Sequence, residues 1–297
     1  MTRWKQILKN AVAILLVAAG ILMLAYPAAA QYASQKDLQQ AADVYEQNTA
    51  DTSVDRISQM LEEAQAYNAS LLKNPDPFTL TDEEEEQLHS LLSVNDDGII
   101  GSIEIEKIGV YLPIYHGLGD DALSGGIGHM DGSSLPVGGE STHCILAGHT
   151  GSPDATLFSN LGELEEGDEI KLHVLNMILV YTVDTTEVVD PSNAQGMSIH
   201  QGQDLLTLIT CTPYGINSQR LLVRAHRTGT LSADTSSQTE KSRDIVLDWW
   251  AWTGLILAGI ITAAAVVFCI LFLKNKKTKS VQEKQLENKD QDGKQTD

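Results

Sequence analysis

The chain has 297 residues, with 40 acidic against 20 basic side chains and a formal charge of −20 at neutral pH. Only 20% of residues are charged, which excludes a disordered polyelectrolyte, and the acidic excess excludes the concentrated basic surface that nucleic acid requires. Cys144, Cys211 and Cys269 allow at most one bridge, since Cys269 lies in an apolar run, so a disulfide framework is excluded as well.

Both ends are basic beside an apolar stretch, and the centre is strongly acidic. By the positive-inside rule this pattern places both termini in the cytoplasm and the body of the chain outside. Residues 1–30 form an N-terminal membrane anchor or signal segment: Ala11 to Ala30 is uncharged, and Ala28-Ala29-Ala30 also offers small residues for cleavage. Residues 31–95 read as a helical region. Leu38, Ala41, Ala42 and Tyr45, then Ile57, Leu61 and Ala64, repeat at helical spacing and predict two helices broken near Asn48–Ser53. Asn74-Pro75-Asp76-Pro77-Phe78 is non-helical, because each proline holds its predecessor extended. Thr81 and Glu84 form a capping box for a short helix to about Leu92, and Glu83–Glu86 is its solvated start. Asp96-Asp97-Gly98 is a turn.

From residue 96 to 230 short β-branched runs alternate with Gly, Pro and Asn. Ile99–Ile105, Val110–Tyr115, Thr142–Ala147, Glu169–Leu175, Leu179–Asp184, Leu205–Cys211 and Leu221–Arg227 predict a mainly β domain of seven or eight strands, a barrel or sandwich. Residues 231–248 form a Ser/Thr-rich linker. Residues 249–273 form a second transmembrane helix, opened by Trp249, Trp250 and Trp252 and followed by a basic cytoplasmic tail over 274–297.

Two clusters carry chemistry. Thr207-Leu208-Ile209-Thr210-Cys211 ends a strand just before Pro213, which presents the thiol beside a loop. Arg220 follows nine positions later at the start of the next strand, a connection short enough for the two strands to be neighbours. A strand-end thiol alone is equally consistent with buried filler. Ala147-Gly148-His149-Thr150-Gly151 presents an imidazole on a turn, although position alone does not separate His149 from the other seven histidines. His143 and Cys144 point to opposite faces of a strand, so they cannot share a zinc ion, and no metal or cofactor is expected. Cys144 reads as a core residue, and His116 and His129 as structural or substrate-rim residues. A calcium role for the acidic run lacks the spaced ligands of an EF-hand loop.

Taken together, these strings resemble a sortase. They are joined by Leu112-Pro113-Ile114-Tyr115-His116-Gly117, Gly128-His129, Ser134 to Gly139, Leu157-Phe158 and Pro213-Tyr214-Gly215. The likeness is strongest to the class C, pilin-polymerising sortases, which have two membrane segments and a flap. The sequence departs from the pattern at Glu106, Ser152 and Ser218-Gln219, none of them a catalytic position. The resemblance implies a sortase-like closed β-barrel preceded by N-terminal helices and a lid over residues 74–80. It also implies that Cys211 attacks the Thr–Gly carbonyl of a Leu-Pro-x-Thr-Gly-like sorting signal. His149 then shuttles protons, Arg220 steadies the oxyanion, and a lysine amine of another pilin subunit resolves the thioester. Asp76 and Phe78 match the lid motif, in which the carboxylate approaches the arginine and the ring covers the thiol. Alternatives are a sortase that joins surface proteins to a peptidoglycan amine, a membrane cysteine protease, and a membrane scaffold without catalysis.

Overall fold

The computed structural model describes residues 2–95, 97–151, 155–192, 196–232 and 251–267, with side chains described from residue 12 onward. Asp96, Ser152, Trp249, Trp250, Cys269, the tail and most of the expected linker lie outside the described residues. The helices are α1 (Thr2–Asp51), α2 (Val54–Leu71), α3 (Asp82–His89), α4 (Asp120–Gly125) and α5 (Ala251–Val267). The strands are β1 (Ile99–Ile105), β2 (Val110–His116), β3 (Ile127–His129), β4 (Thr142–Ala147), β5 (Glu169–Val174), β6 (Met177–Val189), β7 (Asp204–Thr212) and β8 (Gln219–Ser232).

The chain divides into two compact units, Met1–Ala29 with Trp249–Asp297, and Ala30–Asp248. In the first, the apolar part of α1 is long enough to cross a membrane by length and composition. Helix α5 approaches it closely at Gly254, where a Cβ would lie 2.8 Å from the Leu24 carbonyl oxygen. Ala251 and Ala258, one turn before and one after, are buried.

In the second unit the eight strands close into a barrel in the order β1-β2-β3-β4-β7-β8-β6-β5. Two neighbouring pairs, β2/β3 and β4/β7, are parallel, and the rest are antiparallel. Ile103, Leu112, Ile114, Leu172, Leu206, Leu208 and Val223 are fully or almost fully buried and build one continuous core. All seven expected strands are present. The eighth, β3, has only three residues, too few to show alternation, and β6 and β8 extend past their expected ends through polar residues.

The helical region packs on the outside of this barrel, which is why β1 and β2 are buried on both faces. Along α1, Gln31, Gln35, Leu38, Ala42, Tyr45 and Thr49 are buried at spacings of three and four, one stripe of a helix. Helix α1 is unbroken through Pro27, so the apolar segment and the first expected helix are one element. It ends at the expected break, and Ser53 caps α2 by accepting from the Arg56 N–H. The Tyr45 hydroxyl donates to the Ile100 carbonyl and accepts from the Leu175 N–H, at 3.0 and 3.1 Å. From α2, the buried Asn68 amide donates to the Leu135 carbonyl and accepts from the Leu135 N–H, at 3.2 and 2.7 Å. Helix α3 starts with the expected Thr81/Glu84 capping box.

Candidate active site

Strand β7 carries Cys211 at its C-terminal end, and the antiparallel β8 places Arg220 directly across the ladder as its Cα partner. The six-residue loop between them is held by the Ile216 and Asn217 N–H groups, which both donate to the Pro213 carbonyl, at 3.0 and 2.9 Å. Gly215 and Asn217 take the left-handed conformations this tight reversal needs, at φ 74° and 58°. Arg220 Nη1 donates to the carbonyls of Asn217 and Gln219, at 3.4 and 3.1 Å. Among the described residues these are its hydrogen bonds, so Nε and Nη2 remain for an incoming oxygen.

His149 follows β4, which runs parallel to β7. The Gly148 N–H donates to the Ile209 carbonyl at 3.0 Å, and Thr210 Oγ1 donates to the Gly148 carbonyl at 2.7 Å. Both backbone polar groups of Gly148, the residue before His149, are therefore tied to the two residues that precede Cys211. Beyond the histidine, Gly151 lies against the Tyr214 ring and the Gly215 N–H of the β7–β8 loop. Only glycine fits at 148, because a Cβ there would lie 2.7 Å from Ile127 and 2.8 Å from Phe158. The histidine loop is thus clamped to the cysteine strand on one side and to the cysteine loop on the other. His149 is exposed, while Cys211 and Arg220 are partly buried. Tyr214 and Ile216, 41% and 71% exposed, put apolar surface on the loop that follows Cys211.

The other thiol in the barrel is of a different kind. Cys144 is buried in the core, and burial pushes its thiol well above the ordinary range, as expected for an inert core residue. His129 is fully buried and bonded to the Ser134 carbonyl and the Ser133 hydroxyl, and His116 is bonded to the Leu91 carbonyl, which fits structural roles for both. His143 bonds Ser198 and Thr207 rather than facing the site.

The segment expected to form a lid makes a turn in which the Asp76 N–H donates to Asn74 Oδ1 at 3.0 Å. Among the described residues no ion pair joins the Asp76 carboxylate to Arg220. Arg220 Nη1 bonds the Asn217 carbonyl of the preceding loop and the Gln219 carbonyl of β8. Pro77 rests on the turn after β3, where a Cβ at Gly132 would fall 2.1 Å from the Pro77 carbonyl oxygen. Phe78 is 44% exposed.

Residues 103–228 match the sortase domain family. The chain is 33% identical over 114 residues to sortase D of Bacillus subtilis, covering 38% of this chain and 54% of that protein. It thus spans about half the length of that curated relative. Among solved structures, sortase C1 of Streptococcus agalactiae is 38% identical with a TM-score of 0.62, covering 64% of this chain and 98% of that one. Sortase C of Clostridium perfringens, solved with the C-terminal cell wall sorting motif, is 35% identical with a TM-score of 0.57, covering 64% of this chain and 98% of that one.

Proposed function

This chain belongs to the sortase family, with class C sortases among its structural relatives, and on that premise we propose that it is a membrane-anchored cysteine transpeptidase assembling pilin subunits. The observation that carries the reading is the convergence of Cys211, Arg220 and the His149 loop at one end of β4, β7 and β8. The substrate is a Leu-Pro-x-Thr-Gly-like sorting signal, the kind of motif with which the Clostridium perfringens relative was solved.

In the first step the Cys211 thiolate attacks the Thr carbonyl carbon. The oxyanion that forms meets the free N–H donors of Arg220, whose charge persists at every working pH. Collapse breaks the C–N bond, His149 protonates the leaving glycine amine, and a thioester remains on Cys211. A lysine amine of the next pilin subunit then attacks the thioester, giving its proton to His149 and its nitrogen to an isopeptide bond, and the C–S bond breaks to return the Cys211 thiolate. Exposure of His149 suits this exchange, since both amines arrive from outside the barrel. The apolar part of α1 anchors the enzyme, with the barrel on the extracellular face and both termini cytoplasmic. The lid loop acts as an autoinhibitory cover: Asp76 offers Arg220 a carboxylate and Phe78 shields the thiol once the loop swings from its rest on Gly132.

The test uses the full chain in detergent micelles with a sorting-signal peptide, with and without a lysine-bearing pilin peptide. The expected result is a mass increase on Cys211 equal to the acyl fragment, and an isopeptide product when the amine is present. Transfer to a peptidoglycan-type amine but not to the pilin lysine moves the assignment to wall anchoring. Hydrolysis alone at every amine concentration makes the protein a protease, and an unmodified Cys211 overturns the catalytic reading altogether. For the lid, replacing Asp76 and Phe78 together by alanine is expected to speed alkylation of Cys211, and unchanged alkylation refutes autoinhibition.

A further inference from the structure

Away from the catalytic mouth, three side chains from separate parts of the chain meet where the lid-bearing helix joins the barrel. His89 ends α3, His116 ends β2, and Asp131 lies two residues after β3. One potential ligand atom from each lies within 4.8 Å of the others. His89 Nε2 is 3.1 Å from both carboxylate oxygens of Asp131, and its ring stacks on His116 with centroids 5.0 Å apart.

The chemistry of His116 is the informative part. Its Nε2 lies 2.8 Å from the Leu91 carbonyl, which can only accept, so Nε2 carries the proton. Nδ1 therefore holds the lone pair, and that nitrogen is buried with no hydrogen-bond partner. A ring with one nitrogen fixed on a backbone carbonyl and the other presenting a bare lone pair is how metal-binding histidines are oriented. The cluster also opens to solvent. His89 and His116 line a cavity of about 240 Å³ together with Asp97 and Asp121, and His89 borders a larger cleft lined by Asp82, Glu85 and Glu86 with Arg56 as its one arginine. Carboxylates along an entry path raise the local concentration of a cation.

We propose that His89, His116 and Asp131 bind one divalent transition-metal ion, zinc being the best match, and that this ion clamps α3 to the barrel. Two imidazoles and a carboxylate make the mixed nitrogen–oxygen set that zinc accepts, with water as fourth ligand. The donors are too few and too rich in nitrogen for calcium. Because Asp131 precedes the Gly132 on which Pro77 rests, and α3 follows the lid loop, the ion fixes both footings of that loop. The site stands on these residues alone and does not depend on the transpeptidase reading.

The test strips the full chain in micelles with a chelator and titrates zinc by calorimetry. Cys211→Ala is measured in parallel, since a thiolate also binds zinc. The expected result is one ion per chain in both proteins. His89→Ala and Asp131→Asn are each expected to lose more affinity than the roughly tenfold that removing even an outer partner costs. X-ray absorption of the unmutated zinc-loaded protein is expected to show a nitrogen and oxygen shell without sulfur, a readout that holds even if a variant misfolds. Absence of uptake, binding that vanishes in Cys211→Ala, or a sulfur shell overturns the proposal.

Discussion

The seam between the helices and the barrel is built on the opposite rule from the barrel's mouth. At the seam Tyr45, Asn68 and His173 are buried and engaged, while Gln35 Oε1, Gln39 Nε2, Thr49 Oγ1 and the Tyr67 hydroxyl are buried there without a hydrogen-bond partner. Tyr45 both donates and accepts, Asn68 answers both backbone groups of Leu135, and His173 sits between Glu46 and Glu104 at 3.2 and 3.0 Å. At the mouth His149 is exposed, Arg220 keeps donors in reserve, and Tyr214 and Ile216 show apolar surface to water. A buried polar group without a partner is destabilising, so the bonds of Tyr45, Asn68 and His173 hold the seam together; a group that must receive a substrate cannot be saturated in advance. Gly148, with both backbone groups bonded to β7, follows the seam's rule but serves the mouth, because it fixes where His149 stands.

Substitutions test this contrast, beginning with the largest effect. Cys211→Ala is expected to remove acyl transfer by on the order of 10³-fold or more while leaving the melting temperature near its original value, measured by peptide turnover and calorimetry. Arg220→Ala is expected to lower kcat by roughly 10²–10³-fold, as for loss of an oxyanion donor, with Arg220→Lys recovering only part. Asn68→Ala reverses the pattern: it strands a buried N–H and carbonyl of Leu135, and denaturant unfolding is expected to show a loss of about 2–4 kcal/mol with the chemistry intact. Alkali probes the same seam. Burial raises the Tyr45 pKa to about 12, against about 10 when unfolded, so its stabilisation holds below pH ~10 and is lost as pH rises towards ~12, a swing of about 3 kcal/mol. Tyr45→Phe should be less stable at neutral pH yet lose less over that interval; an equal alkaline loss would mean other groups dominate. Smallest, Thr81→Ala removes the cap of α3 and is expected to cost about 1 kcal/mol.

Much of this molecule was readable where periodicity and punctuation agree. Seven strand positions followed from β-branched runs, and the Cys211–Arg220 pairing from a short connection between two of them. Three features were not. Strand β3 is too short to alternate, and its pairing depends on partners remote in sequence. The continuity of α1 through Pro27 runs against the local preference of proline, which the rest of a 50-residue helix overrides. The bonds joining His149 to Cys211 pass through Gly148 and Thr210, and no spacing of reactive residues reveals a backbone clamp. The cluster of His89, His116 and Asp131 was hidden for a similar reason, since its members come from three elements that only the closed barrel brings together. The lid motif was legible as a string, whereas the resting place of its loop, with Pro77 against Gly132, depends on a turn remote in sequence.

The Pro77–Gly132 contact makes position 132 a genetic handle on the loop. With φ at 84° and the Pro77 carbonyl where a side chain would begin, a single methyl group evicts the proline from its perch without touching the thiol, the imidazole or the guanidinium. Gly132→Ala therefore releases the loop from its resting place through a position remote in sequence from Cys211, His149 and Arg220.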